Sequence, residues 1–94
     1  MALADIVFAE AKGNYTELRL KNGAKITASR KLKEVEEQLP IQGFMRIHNS
    51  YIVNMQCVQK YYRGRGGLVI MTDGASLPVS AARKEDFVKF LGEI

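Results

Sequence analysis

Two dipeptides that favour tight hairpins, Asn22-Gly23 and Asp73-Gly74, constrain the fold of this chain more than any other feature. Asn, Asp and Gly tolerate the positive backbone angles of two-residue hairpin turns, and each dipeptide lies between segments with strand-like patterns. The segment before the first dipeptide alternates polar and apolar residues, as a half-buried strand does. Four strands are therefore predicted beside these turns: Tyr15–Leu20, Lys25–Ala28, Leu68–Met71 and Ala75–Val79.

The remaining segments predict two further strands and two short helices. Apolar residues at helical spacing follow Ser29, which predicts a helix that Ser29 caps and Pro40 ends. A second helix is predicted after Ser80, which can cap it. Strands are predicted over Ile6–Ala9 and Cys57–Tyr62. The whole chain, residues 1–94, is thus predicted to be a single β-rich domain.

Composition narrows the function classes. The chain has 94 residues, a net charge of +4 and one cysteine. Its apolar runs are far shorter than the roughly 20 residues of a membrane-spanning helix, and no signal-peptide pattern is present. A lone cysteine forms no internal disulfide, which favours the cytoplasm. So small a domain has little room for a walled active site, so a binding module without a cofactor is expected rather than an enzyme.

Positive charge is concentrated in the second half of the chain. No Asp or Glu occurs between Gln38 and Thr72, whereas Arg46, Lys60, Arg63 and Arg65 all lie there. A segment without neutralising partners presents positive potential to an anion. Charge alone leaves DNA, RNA and an acidic protein open as partners.

Few residues suggest catalysis or metal binding. His48 and Ser50 are two residues apart and could form a base and nucleophile pair, but no acid lies near in sequence to orient the imidazole. One His and one Cys are too few ligands for a structural metal site. Glu36 and Glu37 are adjacent on the predicted helix, point in different directions, and are expected on its solvated face.

The segment Arg63–Gly67 has the sequence RGRGG, which is turn chemistry with two cations at its tip. It is either a plain turn or a flexible tip that touches phosphates. With Tyr51, Tyr61 and Tyr62 as stacking surfaces, it also suggests an RNA-binding β module as an alternative function.

The central segment Phe44–Asn54 has the sequence FMRIHNSYIVN. It closely resembles the central signature of the LytTR DNA-binding domain, an aromatic-x-Arg-hydrophobic-His-x-Ser-aromatic-hydrophobic-Val-Asn block. Three more segments agree with the family in order and spacing, so that the resemblance covers nearly the whole chain. These are Ile6–Ala11 with Gly13 and Tyr15, then Leu32–Leu39, then Leu77–Ser80.

This resemblance implies a mostly β fold of small antiparallel sheets with one or two short helices, which contacts double-stranded DNA through loops. It also implies the output domain of a bacterial two-component response regulator that controls transcription. We therefore expect an excised C-terminal part of a longer protein with a receiver domain. Such regulators bind two direct repeats, with homodimer formation on the DNA.

The resemblance further implies base contacts in three places. The matching positions are Lys12 and Asn14 in the first loop, Asn49 in the central segment, and Arg83 near the last helix. Many family members carry the arginine one or two positions earlier, where this chain has two alanines.

A second set of residues is expected to contact phosphate or to position the loops. Arg46 and Ser50 suit phosphate contacts, although holding the loop is equally open for Arg46. His48 and Asn54 suit hydrogen bonds that fix the loop carrying Asn49. The predicted set is Arg46, His48, Ser50, Arg63, Arg65, Ser80 and Lys84.

Overall fold

The computed structural model describes residues 2–64 and 66–92. Within these residues the chain forms eight strands and two α-helices. In chain order they are β1 (Ile6–Lys12), β2 (Tyr15–Leu20), β3 (Lys25–Ala28), α1 (Leu32–Gln38), β4 (Phe44–His48), β5 (Tyr51–Asn54), β6 (Val58–Tyr62), β7 (Leu68–Met71), β8 (Ser76–Pro78) and α2 (Lys84–Gly92). The predicted mostly β fold with short helices is confirmed.

The strands form two antiparallel sheets. The larger sheet has five strands in the order β3-β2-β1-β5-β4, and the smaller has three in the order β6-β7-β8. β1 lies at the centre of the larger sheet, paired with β2 on one side and with β5 on the other. The turn between β4 and β5 therefore lies beside the end of β1.

Both predicted hairpins form, and they use the same local chemistry. Gly23 and Gly74 have φ angles of 87° and 88°. The Oδ1 atom of Asn22 accepts from the amide of Ala24, and that of Asp73 accepts from the amide of Ala75. Only the glycine of each pair takes a positive φ, because each loop has three residues instead of two and the glycine is the last of them.

Two bulges interrupt the larger sheet, at Val7 in β1 and at Ile47 in β4. Ile47 is fully buried. Across the bulge, Arg46 pairs with Ile52, while His48 pairs with Tyr51. A bulge shifts the alternation of side chains, so Arg46 and His48 lie on opposite faces of the sheet although they are two residues apart.

The larger sheet is the middle layer between two apolar cores. On one face, Leu32 and Val35 of α1 pack with sheet residues that include Ile52. On the other face, Val53 of β5 packs with Val69 of the smaller sheet and with Phe87 of α2, each of which is fully buried. Both faces of β1 and β5 are therefore covered.

Predictions about helix caps are wrong. Lys31, not Ser29, precedes α1, and it makes no side-chain cap. The start of α1 follows from the burial of Leu32 and Val35. Ser80 precedes a 3₁₀ turn at Ala81–Arg83, also without a side-chain cap. Its amide donates to the carbonyl of Ile47 at 2.8 Å, which ties this segment to β4.

The second half of the chain differs from its predicted bounds in two places. Cys57 belongs to a 3₁₀ turn, Met55–Cys57, so β6 begins at Val58. The side chain of Cys57 is buried in the core between the sheets. β8 is shorter than its predicted span. Within the described residues, no helix has the length and apolar character needed to cross a membrane.

Two isoleucines provide a matched test of this packing. Ile47 is 0% exposed and Ile41 is 83% exposed. We expect Ile47→Ala to lower the free energy of unfolding by about 2–5 kcal/mol, because it leaves a cavity in the core. Ile41→Ala should change it by less than about 0.5 kcal/mol. Urea denaturation followed by circular dichroism measures both, and equal losses would contradict the described core.

Candidate nucleic-acid interface

The turn between β4 and β5 is held mainly by the side chain of Arg46. Its Nε donates to the carbonyl of His48 at 3.0 Å, and its Nη2 donates to the carbonyl of Asn49 at 2.7 Å. The amide of Ser50 donates to Nδ1 of His48 at 3.1 Å. The backbone of the turn is therefore fixed by two side chains, while Asn49 itself is exposed.

Main-chain hydrogen bonds connect this turn to the other segments with predicted base contacts. The amide of Ala11 donates to the carbonyl of Ser50 at 2.9 Å, which places the first loop beside the turn. The amide of Ser80 donates to the carbonyl of Ile47, and Nη1 of Arg83 donates to the carbonyl of Arg46 at 3.3 Å. The three segments thus converge on the β4–β5 turn.

In the first loop, Gly13 has a φ of 68° and Asn14 is exposed. Lys12 lies close to Glu10, with 3.6 Å between Nζ and Oε2. The hydroxyl of Tyr51 donates to the same carboxylate oxygen at 3.4 Å. Burial, together with the charge and hydrogen bonding of Glu10, raises the pKa of Tyr51, and Lys12 opposes this shift.

Two of the predicted phosphate-contacting residues, Arg63 and Lys84, line one surface cavity of about 460 Å³. Tyr61 and Lys89 line it as well. Gly67 borders this region with a φ of 74°, and a Cβ there would come within 3.2 Å of the Lys84 side chain. The close approach and the positive φ together require glycine. Arg65 lies outside the described residues.

Several residues predicted to contact DNA or to position the loops form hydrogen bonds within the protein. The guanidinium of Arg46 bonds two carbonyls and the carboxylate of Glu36, which favours the loop-holding alternative over phosphate contact. Asn54 was predicted to fix the loop that carries Asn49, and this is wrong. It is buried at the other end of β5, where its side chain donates to the carbonyl of Ile6 and accepts from the amide of Gln56. The backbone amide of Ser50, and not its hydroxyl, donates to Nδ1 of His48. This geometry differs from that of a base and nucleophile pair.

Sequence reasoning missed two acidic residues at this interface. Glu36 was expected on a solvated face, but its Oε1 lies 2.8 Å from Nη1 of Arg46. Glu10 contacts both Lys12 and Tyr51. Arg46 and Tyr51 become neighbours of these carboxylates only in the folded sheet, so no spacing rule identifies those two pairs. Lys12 is two residues from Glu10 in β1, a spacing that places both side chains on one face of a strand. Among the described residues, no group of three or more His, Cys, Asp or Glu is placed to hold a metal ion.

Comparisons with known proteins agree with this architecture. The family model of the LytTr DNA-binding domain matches residues 1–92. The sensory transduction protein LytT of Bacillus subtilis is 29% identical over 90 residues, which are 93% of this chain and 36% of that protein. The CO-responsive transcriptional regulator RcoM of Rhodospirillum rubrum is 32% identical over 83 residues, which are 85% of this chain and 35% of that protein.

A solved structure is also similar. It is the LytTr DNA-binding domain of a putative methyl-accepting/DNA response regulator from Bacillus cereus, with a TM-score of 0.88 and 30% sequence identity. The match covers 98% of this chain and 85% of that one. The chain spans about a third of the length of the two curated relatives.

The cluster around Glu10 gives a prediction about protonation. Glu10→Gln removes the carboxylate charge, so we expect the pKa of Tyr51 to fall towards its ordinary value of 10.0. A raised pKa means that the fold favours the neutral phenol. The stability that this provides is present below the unfolded pKa and is lost as the pH rises through the folded one. The Glu10→Gln variant should therefore lose less folding stability through Tyr51 as the pH rises.

Titration of the Tyr51 ring by NMR measures this shift. Glu17→Gln is the matched control, because it removes the same charge from the neighbouring strand β2. A Tyr51 pKa that is equally lowered by both substitutions would contradict a specific contact with Glu10.

Proposed function

Because the chain belongs to the LytTr DNA-binding domain family, we propose that it binds a specific sequence in double-stranded DNA as the output domain of a bacterial two-component response regulator. One observation carries the proposal: the three segments with candidate base contacts converge on the β4–β5 turn. Main-chain hydrogen bonds hold the first two of these connections, so the connections use no side-chain atoms of Asn14 or Asn49. Because a regulator of this kind must reach chromosomal DNA, the proposed location is the bacterial cytoplasm.

We assign base contacts to Lys12, Asn14, Asn49 and Arg83. An Asn side chain can form a bidentate pair with adenine, and Arg or Lys can donate to the O6 and N7 atoms of guanine. The guanidinium of Arg83 has five N–H donors and uses Nη1 on the carbonyl of Arg46. Its remaining donors are sufficient for one base.

We assign phosphate contacts to further cations of the chain. Arg63 and Lys84 border the same surface cavity, and Arg65 is assigned with them from the sequence. Ser50 and Ser80 lie beside the turn and suit either phosphate contact or loop positioning, whereas His48 and Arg46 hold the turn itself. Phosphate contacts supply affinity without sequence information, so specificity depends on the base-contacting side chains.

The whole regulator is proposed to bind two direct repeats as a homodimer, with a receiver domain that controls dimerisation. The curated relatives are much longer than this chain, and their names describe sensory transduction and CO-responsive regulation. These names support a transcriptional output that is coupled to a separate input.

Selection of bound sites from random duplex DNA tests the proposal. An enriched direct repeat is the expected result, with log affinity falling linearly in log salt by about 0.9 per neutralised phosphate. Equal binding to the selected and a scrambled duplex would overturn it. Tighter binding to single-stranded RNA, lost on Tyr62→Ala, would instead support the RNA-binding alternative.

Substitution of the base-contacting residues gives a more specific prediction. We expect Asn49→Ala and Arg83→Ala each to weaken binding to the selected duplex by about 1–3 kcal/mol, with relaxed preference at one base position. Fluorescence anisotropy with single-base variants of the site measures this. Arg30→Ala is the control for Arg83, since it removes the same charge from an exposed position before α1. An Arg30→Ala effect as large as that of Arg83→Ala would reduce Arg83 to a general electrostatic role.

A further inference from the structure

The side chain of Arg46 lies between helix α1 and the β4–β5 turn. Its three nitrogens bond three different acceptors: the carboxylate of Glu36 and the carbonyls of His48 and Asn49. The side chain is only 15% exposed. A guanidinium has a rigid planar fork, so fixing one edge of it fixes the direction of the other donors.

Glu36 provides the fixed edge. Its Oε1 lies 2.8 Å from Nη1 of Arg46. The helix that carries it is anchored on the larger sheet by the buried side chains of Leu32 and Val35. The carboxylate is thus attached to a packed element, whereas Asn49 is exposed.

We propose that Glu36 is a positioning residue for DNA recognition. It orients Arg46, which fixes the carbonyls of the two peptide groups that flank the Cα atom of Asn49 and so sets the direction of the Asn49 side chain. This inference rests on the proposed function, because it concerns the same base-contacting turn. It assigns a role to a carboxylate that does not itself touch DNA.

Simple electrostatics predicts the opposite effect of removing this charge. A carboxylate on a DNA-binding domain repels phosphates, so its neutralisation should strengthen binding to any duplex. If Glu36 positions the turn, its neutralisation instead weakens binding to the correct sequence more than to others. The two effects are separable because only the second changes the ratio of specific to nonspecific affinity.

The experiment compares Glu36→Gln with Glu37→Gln in the same chain. Glu37 is the next residue on α1 and is exposed, so both substitutions raise the net charge by the same amount. The measured quantity is the affinity for the selected duplex divided by that for a scrambled duplex. We expect Glu36→Gln to lower this ratio by about 3- to 10-fold relative to Glu37→Gln, which is the range that one ordinary hydrogen bond contributes.

Amide hydrogen exchange on the free protein gives a second measurement. Glu36→Gln should speed exchange at the amide of Ser50, which bonds His48, and at that of Ala11, which bonds the carbonyl of Ser50. The amide of Met71, which bonds Ala75 in the smaller sheet, should be unchanged and controls for general destabilisation. Arg46→Lys, which keeps the charge but lacks the fork, should repeat both effects.

The outcomes separate this inference from the function on which it rests. A ratio of specific to nonspecific affinity near one in the wild-type protein would overturn both the proposed function and the role of Glu36. If the wild-type protein prefers the selected duplex and the two glutamine variants have equal affinity ratios, only the role of Glu36 is overturned. Tighter binding of Glu36→Gln than of Glu37→Gln to every duplex also overturns it, because Arg46 would then be a phosphate contact that Glu36 restrains.

Discussion

Burial on both faces of β1 and β5 is the constraint on which the rest of this structure depends. Antiparallel sheets often leave one face in water, but here α1 covers one face and the smaller sheet with α2 covers the other. This explains why Ile6–Ala9 is apolar throughout, whereas β2 alternates.

The bulge at Ile47 converts this burial into a defined turn. The extra residue fills the core between the sheets, and its neighbours are directed to opposite faces. Arg46 meets α1 through Glu36, and the ring of His48 lies 5.7 Å from that of Tyr51. The exposed turn is thus held from both faces of the sheet by polar side chains. Bulges are known to redirect side chains beside functional sites, and this one has the same effect.

Local chemistry was sufficient to predict much of the fold. The hairpins at Asn22-Gly23 and Asp73-Gly74 form as expected because an Asx side chain and a glycine complete each turn within a few residues. The capping role of Ser80 was wrong, since its side chain makes no cap and a 3₁₀ turn at Ala81–Arg83 follows it before α2 begins. The Glu36–Arg46 pair exists only once α1 packs on the sheet, so periodicity could not predict it. The candidate base-contacting positions came from family resemblance, since polar side chains in loops leave no trace in a hydrophobic pattern.

The main-chain bonds from Ala11 to Ser50 and from Ser80 to Ile47 have a consequence for how such a domain diversifies. Since these bonds use no side-chain atoms, the exposed residues carried by the first loop and the central turn can be exchanged without loss of the contacts between segments. Sequence preference and scaffold stability are then under separate genetic control. A duplicated copy could acquire a new target through a few substitutions in its loops while its core stayed unchanged.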